Sequence, residues 1–452
     1  MTTHWSKESI FYHIYPLGMF GAPQKNDFNS KPVERLLKLN DWIEHFNDLG
    51  INALYLGPLF ESTEHGYDTS DYFTVDRRLG TNNTLKSVIK NLHSNNIRVI
   101  LDGVFNHVGR DFWAFKDVQA KLENSAYKDW FSGLSFSKKS SFNDPFVYDG
   151  WNEHYNLVKL NLQNNEVIDH IFAAIRMWIE EFDIDGLRLD VADCLDNNFI
   201  KKLRSFCKEI KHDFWLMGEV IHGDYRNWVN SDMLDSVTNY ECYKGLYSSH
   251  VDKNYFEIAY SFNRQFGEGG IYEDLALYNF ADNHDVDRVV SSLSNPANVY
   301  PLYFLLFTMP GVPSVYYGSE WGLEGKKNGN SDAELRPELN LNDQINNPPH
   351  SELFNTIRRL ITIRKEHKAL KFGSYKQIYL NHEQFVFQRI YGNENVFVAV
   401  NSNNNPVDIE LNIDNTGRTT YKDLLTQDTF YSENGKISLR LWPNWGRILK
   451  EQ

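Results

Sequence analysis

Residues 166–192 read EVIDHIFAAIRMWIEEF followed directly by DIDGLRLDVA. The first part is a strong amphipathic helix. The second is an apolar strand that ends on charge, at Arg188 and Asp190. Helix feeding strand is the repeating unit of a parallel sheet with crossover helices. Outward from this stretch the unit recurs. IFYHIYPL from Ile10 and INALYLGP read as strands, separated by VERLLKLNDWIEHFNDLG from Val33, a helix closed by Gly50 as its C-cap. NTLKSVIKNLHSNN is the next helix and IRVILDGVFNH the third strand. Beyond the opening stretch, FWLMGEV, LDSVTNY, LALYNFADNHD and PSVYYG complete a set of eight strands. That is the count of a (β/α)8 TIM barrel of the α/β class.

The rhythm breaks twice. Residues 108–158 are rich in aromatic, Ser, Asn and Asp residues without a clear period, and read as a subdomain inserted after strand three. The barrel then comprises residues 1–107 and 159–371. From residue 372 to 452, SYKQIYL, QFVFQRIY, NVFVAVNS, VDIELNI and ISLRLWP alternate and are parted by Asn- and Gly-containing turns, which predicts a C-terminal antiparallel β-sandwich.

Composition narrows the function. The chain has 452 residues and a net charge of −14, which argues against a nucleic-acid partner and disfavours anionic membranes. Its three cysteines, Cys194, Cys207 and Cys242, show no metal or redox spacing, and the N-terminus MTTHWSKESIFYHIYPL lacks a signal-peptide pattern; both fit a cytoplasmic protein. The most apolar segment, PLYFLLFTMPGVPSVYY from Pro301, is interrupted by Pro310, Gly311 and Pro313 and is too short to span a bilayer. It reads as a buried helix running into a buried strand. Aromatic residues make up 15% of the chain, and such rings stack on the flat C–H faces of sugars.

In barrel enzymes the chemistry sits at the C-terminal ends of the strands. Strand three presents Asp102, Asn106 and His107; strand four Arg188 and Asp190; strand five Glu219; strand seven His284 and Asp285. Taken singly, an Asp closing a strand is usually an N-cap, a lone His a packed residue and a lone Glu a solvated charge. Their conjunction on four strands overturns those readings. Arg188 and Asp190 are two apart and share one strand face, so the cation favours the ionised carboxylate that a nucleophile must be. With Glu219 on the next strand, two carboxyls flanking one bond suit glycoside hydrolysis.

LDGVFNH, GLRLDVA, GEV and NFADNHD, in this order, resemble the four signature regions of the α-amylase family of glycoside hydrolases (family 13). The resemblance covers the chain from about Ile10 to Lys365 and implies Asp190 as nucleophile, Glu219 as acid/base and Asp285 as stabiliser of the transition state. It implies that Arg188, His107 and His284 hold the sugar, with Asp102 and Asn106 supporting from strand three. HGYDTSDY resembles the loop whose Tyr, here Tyr67, stacks under the sugar, with Asp68 and Arg288 nearby. VKLN, residues 158–161, and Val191 resemble positions in neopullulanases, cyclomaltodextrinases and maltogenic amylases that accept α-1,4 and α-1,6 bonds. The N-terminal β-domain typical of that subgroup does not precede the first strand here, which leaves the oligomeric state open.

The expected activity is retaining hydrolysis of maltooligosaccharides or cyclodextrins. Transglycosylation or isomerisation by the same residues is the alternative, and a non-catalytic glucan-binding protein a remote one, since a fold alone does not exclude it. No cofactor is required and no metal site is expected. The family's usual calcium site uses a His four residues after the nucleophile, where this chain has Cys194, next to Asp193. A structural calcium elsewhere is left open, the polar turn of Asn26, Asp27 and Asn29 reading first as solvated.

Overall fold

The computed structural model describes residues 4–329, 331–413 and 418–452. The opening stretch folds as read. The helix Asn165–Phe182 is capped by the side chain of Asn164 and buries Val167, Ile171, Ala174, Ile175, Trp178 and Phe182 along one stripe. Trp178 stacks on Phe60 (4.1 Å between centroids) and its indole N–H donates to the carbonyl of Tyr72 (2.9 Å). Trp178→Ala would cost about 3–5 kcal/mol.

The barrel strands are β1 (Phe11–Ile14), β2 (Ala53–Leu56), β3 (Arg98–Gly103), β4 (Gly186–Leu189), β5 (Trp215–Gly218), β6 (Ser236–Val237), β7 (Tyr278–Asn279) and β8 (Val312–Tyr316). All pair in parallel, and β8 pairs with both β1 and β7. A bridge between Thr238 and Tyr278 joins the β6 and β7 sides of the ring. Phe11, Tyr55, Ile100, Trp215, Met217, Tyr278 and Val312 form one buried cluster, with Phe11 stacked on Trp215 (5.1 Å). This packed interior, rather than a pore, is the floor of the mouth.

A three-stranded sheet (His107–Gly109, Gly150–Trp151, His154–Lys159) and the helix Trp113–Lys121 fill the stretch after β3. The C-terminal region pairs Ser374–Leu380, Gln384–Tyr391, Glu394–Asn401, Trp445–Glu451, Thr420–Asp423 and Thr429–Tyr431 in one sheet and Val407–Asn412 with Lys436–Leu441 in another. Phe397, Ala399 and Leu449 of the first share a core with Ile409, Leu411 and Leu439 of the second. Of two buried arginines at this junction, Arg389 belongs to the C-terminal region and reaches the barrel, while Arg364 lies on the barrel's own helix Leu353–Glu366. Arg364 donates to the carbonyls of Phe307 (2.9 Å) and Met309 (3.1 Å), and Arg389 to that of Thr308, closing the end of the helix Val299–Thr308. Among the described residues no helix is long and apolar enough to cross a membrane.

Candidate active site

Alternation along β4 sends Arg188 into the barrel between Leu187 and Leu189. Its guanidinium ties three carboxyls together. Nη1 donates to Asp102 Oδ1 (2.8 Å) and Asp190 Oδ1 (2.9 Å), and Nη2 lies 2.9 Å from Glu219 Oε2. All four residues are buried, at 3–6% exposure. The other oxygen of Asp102 accepts from the hydroxyls of Tyr55 (2.8 Å) and Tyr67 (3.0 Å). Asp102 is thereby saturated, whereas Asp190 keeps Oδ2 for a ligand, with His107 Nε2 at 3.9 Å.

Burial pushes the carboxyls of Asp190 and Glu219 up, against the pull of Arg188, and Glu219 and Asp285 respectively add further upward repulsion. Both carboxyls thus sit above the ordinary carboxylate range, the pull of Arg188 notwithstanding. Asp285 moves the opposite way. Burial works to raise it, but His284 (Nε2 to Oδ2, 2.9 Å), Arg336 (Nη2 to Oδ1, 2.7 Å) and Arg188 outweigh that and hold it well below the usual carboxylate range. Its side chain stays 37% exposed, so solvent screens part of that pull. Burial, with His65 adding to it, pushes His107 down to about 3, and its Nε2 has no hydrogen-bond partner. A neutral imidazole facing the open oxygen of Asp190 suits a sugar hydroxyl.

Tyr67 reaches the mouth from the loop after β2. Its ring lies parallel to that of His284 (5.5 Å, 8°), and its hydroxyl also meets His284 Nε2. Tyr67, Asp102, His107, Arg188, Asp190, Glu219, His284 and Asp285 thus converge. Two expected contacts do not. Asp68 accepts from the amides of Glu64 (2.8 Å) and Gly66 (3.1 Å), which spends its carboxylate on folding its own loop. Arg288 is fully buried below the mouth, donating to the Tyr317 carbonyl (2.7 Å) with its guanidinium over the Tyr316 ring (4.1 Å). Nor do the two form an ion pair; a cation flanked by buried aromatic rings and a carbonyl has no route to the rim.

Sequence reading missed other residues at the mouth. Arg336 sits between Asp285 and Asp332 Oδ2 (3.0 Å), with its guanidinium over the Tyr15 ring (4.7 Å). His13 stacks on Tyr55 (4.1 Å) beside His284. The hydroxyl of Tyr240 lies 3.4 Å from Glu219 Oε1 and accepts from the Asn283 amide (3.1 Å). Only His13 carried a signal, the inward parity of β1.

Asn106, beside His107, keeps its Oδ1 without a hydrogen-bond partner, but among the described residues no group of three or more His, Cys, Asp or Glu side chains converges as metal ligands. The Asn26 amide is engaged by Glu61 (3.1 Å) and the carbonyl of Ser62 (3.0 Å).

An α/β barrel whose strand ends bring an acid, a carboxylate and a cation to one mouth has the groups that glycoside hydrolysis needs. The chain belongs to the alpha-amylase family. The family's catalytic domain (Alpha amylase, catalytic domain) matches residues 39–347, and the Alpha-amylase C-terminal domain matches residues 373–449. A cyclomaltodextrinase of Geobacillus thermopakistaniensis (strain MAS1) is 31% identical over 471 residues, covering 98% of this chain and 77% of the relative. A solved cyclomaltodextrinase structure matches with a TM-score of 0.88 at 27% identity, covering 99% of this chain and 78% of that one. The solved debranching enzyme from Nostoc punctiforme matches with a TM-score of 0.82 at 28% identity, over 99% of each chain.

Proposed function

We propose that this enzyme hydrolyses short maltooligosaccharides and cyclic dextrins at α-1,4 bonds, with tolerance of α-1,6 branches. Asp190 attacks the anomeric carbon through Oδ2 while Glu219 protonates the leaving oxygen; Glu219 then activates the water that releases the glycosyl-enzyme. Asp285 supplies fixed negative charge to the flattened, positively charged ring, and Tyr67, His107 and His284 hold that ring. The observation that carries this reading is the Arg188 bridge. One guanidinium spans Asp190 and Glu219, so nucleophile and proton donor face the same bond.

The substrate class is supported by the likeness to a cyclomaltodextrinase and a debranching enzyme, and by the resemblance of residues 158–161 and Val191 to positions in relatives that accept both kinds of bond. A reducing cytoplasm suits the three free thiols Cys194, Cys207 and Cys242. Specific activity on maltotriose, γ-cyclodextrin, pullulan, panose and soluble starch in one buffer tests the proposal. The small substrates are expected to win. Soluble starch ahead by tenfold or more per bond cleaved would refute the size preference, and intact α-1,6 bonds in panose and pullulan would refute the branch tolerance.

A further inference from the structure

The residue that follows Asp190 is strained. Val191 has φ 40° and ψ 52°, a left-handed conformation that is a genuine outlier for a β-branched side chain. The surroundings enforce it. The amide of Glu219 donates to the carbonyl of Leu189 (2.9 Å), and that of Ala192 to the carbonyl of Glu219 (2.9 Å). Gly218 makes room, because a Cβ there would stand 2.7 Å from the Cβ of Ala192. So bent, the chain aims the Val191 N–H at Glu219 Oε2 (3.1 Å), the same oxygen that meets Arg188 Nη2 (2.9 Å).

We propose that the left-handed turn at Val191 is a positioning device for the proton donor: its amide and Arg188 together occupy Oε2 of Glu219 and so assign the transferable proton to Oε1. The Val191 amide is an obligate donor to Oε2 and the Arg188 guanidinium, 2.9 Å away, is a permanent cation, so both disfavour a proton on that oxygen. Among the described residues Oε1 has the Tyr240 hydroxyl as its hydrogen-bond partner, which can donate to it or accept from it (3.4 Å). The inference rests on Glu219 being the acid/base. In the first step the Oε1–H bond breaks as the proton passes to the glycosidic oxygen. The C–O bond to the leaving sugar breaks with its electron pair on that oxygen, and Asp190 Oδ2 bonds to the anomeric carbon. The charge left on Glu219 is held by Val191 N–H and Arg188 at Oε2 and by Tyr240 at Oε1. The other groups facing Glu219 are Asp190 on the same turn and His284 and Asp285 after β7. The Val191 N–H favours the anion and so works against burial.

Replacing residue 191 by α-hydroxyisovalerate keeps the side chain and swaps the N–H for an ester oxygen. The basic limb of the kcat/KM profile is expected to rise by about one pH unit, the size of one hydrogen bond to a charged group. Turnover of maltotriose is expected to fall about tenfold, while an aryl α-maltoside with a leaving group that needs no proton is spared. An unmoved basic limb overturns the proposal. Should the ester chain not fold, Val191→Gly decides. Glycine keeps the donor and adopts the left-handed turn freely, so the limb must stay in place. A displaced limb there assigns the effect to the side chain and overturns the proposal too. The underlying reading is tested separately: Glu219→Ala should keep its activity on the aryl maltoside and gain rate from azide. Failure of both defeats the acid/base role of Glu219 whatever the turn does.

Discussion

Arg336 Nη2 lies 2.7 Å from Asp285 Oδ1, while its Nε donates to the backbone carbonyl of His284 at 2.9 Å. One side chain therefore fixes both the charge and the backbone of the segment after β7. Arg336→Met is expected to cost about ten- to hundredfold in kcat/KM, since a hydrogen bond to a charged group contributes about 1.5–3 kcal/mol. Without the cation the Asp285 carboxyl rises, so the loss is steeper at acid pH. A pH–rate profile with less than threefold loss throughout would remove Arg336 from the site.

Asp190→Asn and Glu219→Gln should each abolish nearly all turnover of maltotriose with the fold intact, because Arg188 keeps hydrogen-bond acceptors in both variants. Arg188→Met differs. It strands the buried carboxyls of Asp102, Asp190 and Glu219 without their shared counter-ion, and breaking such a cluster costs about 3–5 kcal/mol. Thermal melts of the three variants, read beside activity, check this. Equal melting of Arg188→Met and wild type would mean the guanidinium is not structural.

Tyr67→Ala should lower kcat more than it weakens binding of a long oligosaccharide, because contact with the flattening ring counts most in the transition state. The variant also takes one donor from Asp102 and the stacked partner from His284. Equal, small changes in kcat and KM would count against the role.

At the bottom of the barrel, Asp185 accepts from the Val99 amide (2.9 Å) and pairs with His93 (2.8 Å), Arg98 (3.0 Å) and Lys211 (3.1 Å). Burial works to raise its carboxyl, but these partners hold it at about 2, against 3.8 unperturbed. The folded value is depressed, so the stabilisation is present above about pH 4 and lost as pH falls toward 2. Urea unfolding of Asp185→Asn against wild type should differ by about 2 kcal/mol at pH 7, with the gap closing by pH 2–3. A gap independent of pH would sink this account.

Chelation is expected to leave activity unchanged. Cys194 stands where the family's usual calcium site has a His, and Asn26 is engaged within the protein. Turnover measured after EDTA dialysis checks this; loss of activity restored by calcium alone would overturn it.

The barrel was legible because its long helices and the strands β1 to β5 carry unbroken periodic signals. β6 and β7 are only two residues each, and were found through the polar runs that follow them, SVTNY and FADNHD. Trp445–Glu451 escaped because it lies inside the six-stranded sheet, so Gly446 to Leu449 are buried on both faces and nothing alternates. The strand-end residues could be placed because parity fixes where they point. Arg336 could not, since it lies in an aperiodic loop and reaches Asp285 only through tertiary folding. Asp68 and Arg288 show the converse. Closeness in sequence to Tyr67 and Asp285 said nothing about direction, and local amides and buried rings claimed them first. The left-handed Val191 had no signal at all, because its backbone angle is imposed by Glu219 and Ala192 rather than by its own side chain.

The Arg188 cluster has a consequence for what the mouth will hold. Four carboxyls, Asp102, Asp190, Glu219 and Asp285, face two guanidiniums, Arg188 and Arg336. His284 adds a further contact to Asp285 (2.9 Å). A neutral sugar brings no charge to this cluster; the oxocarbenium-like ring does, and only while the bond is breaking. The carboxyls of the mouth are thus matched to the species that exists there for the briefest time.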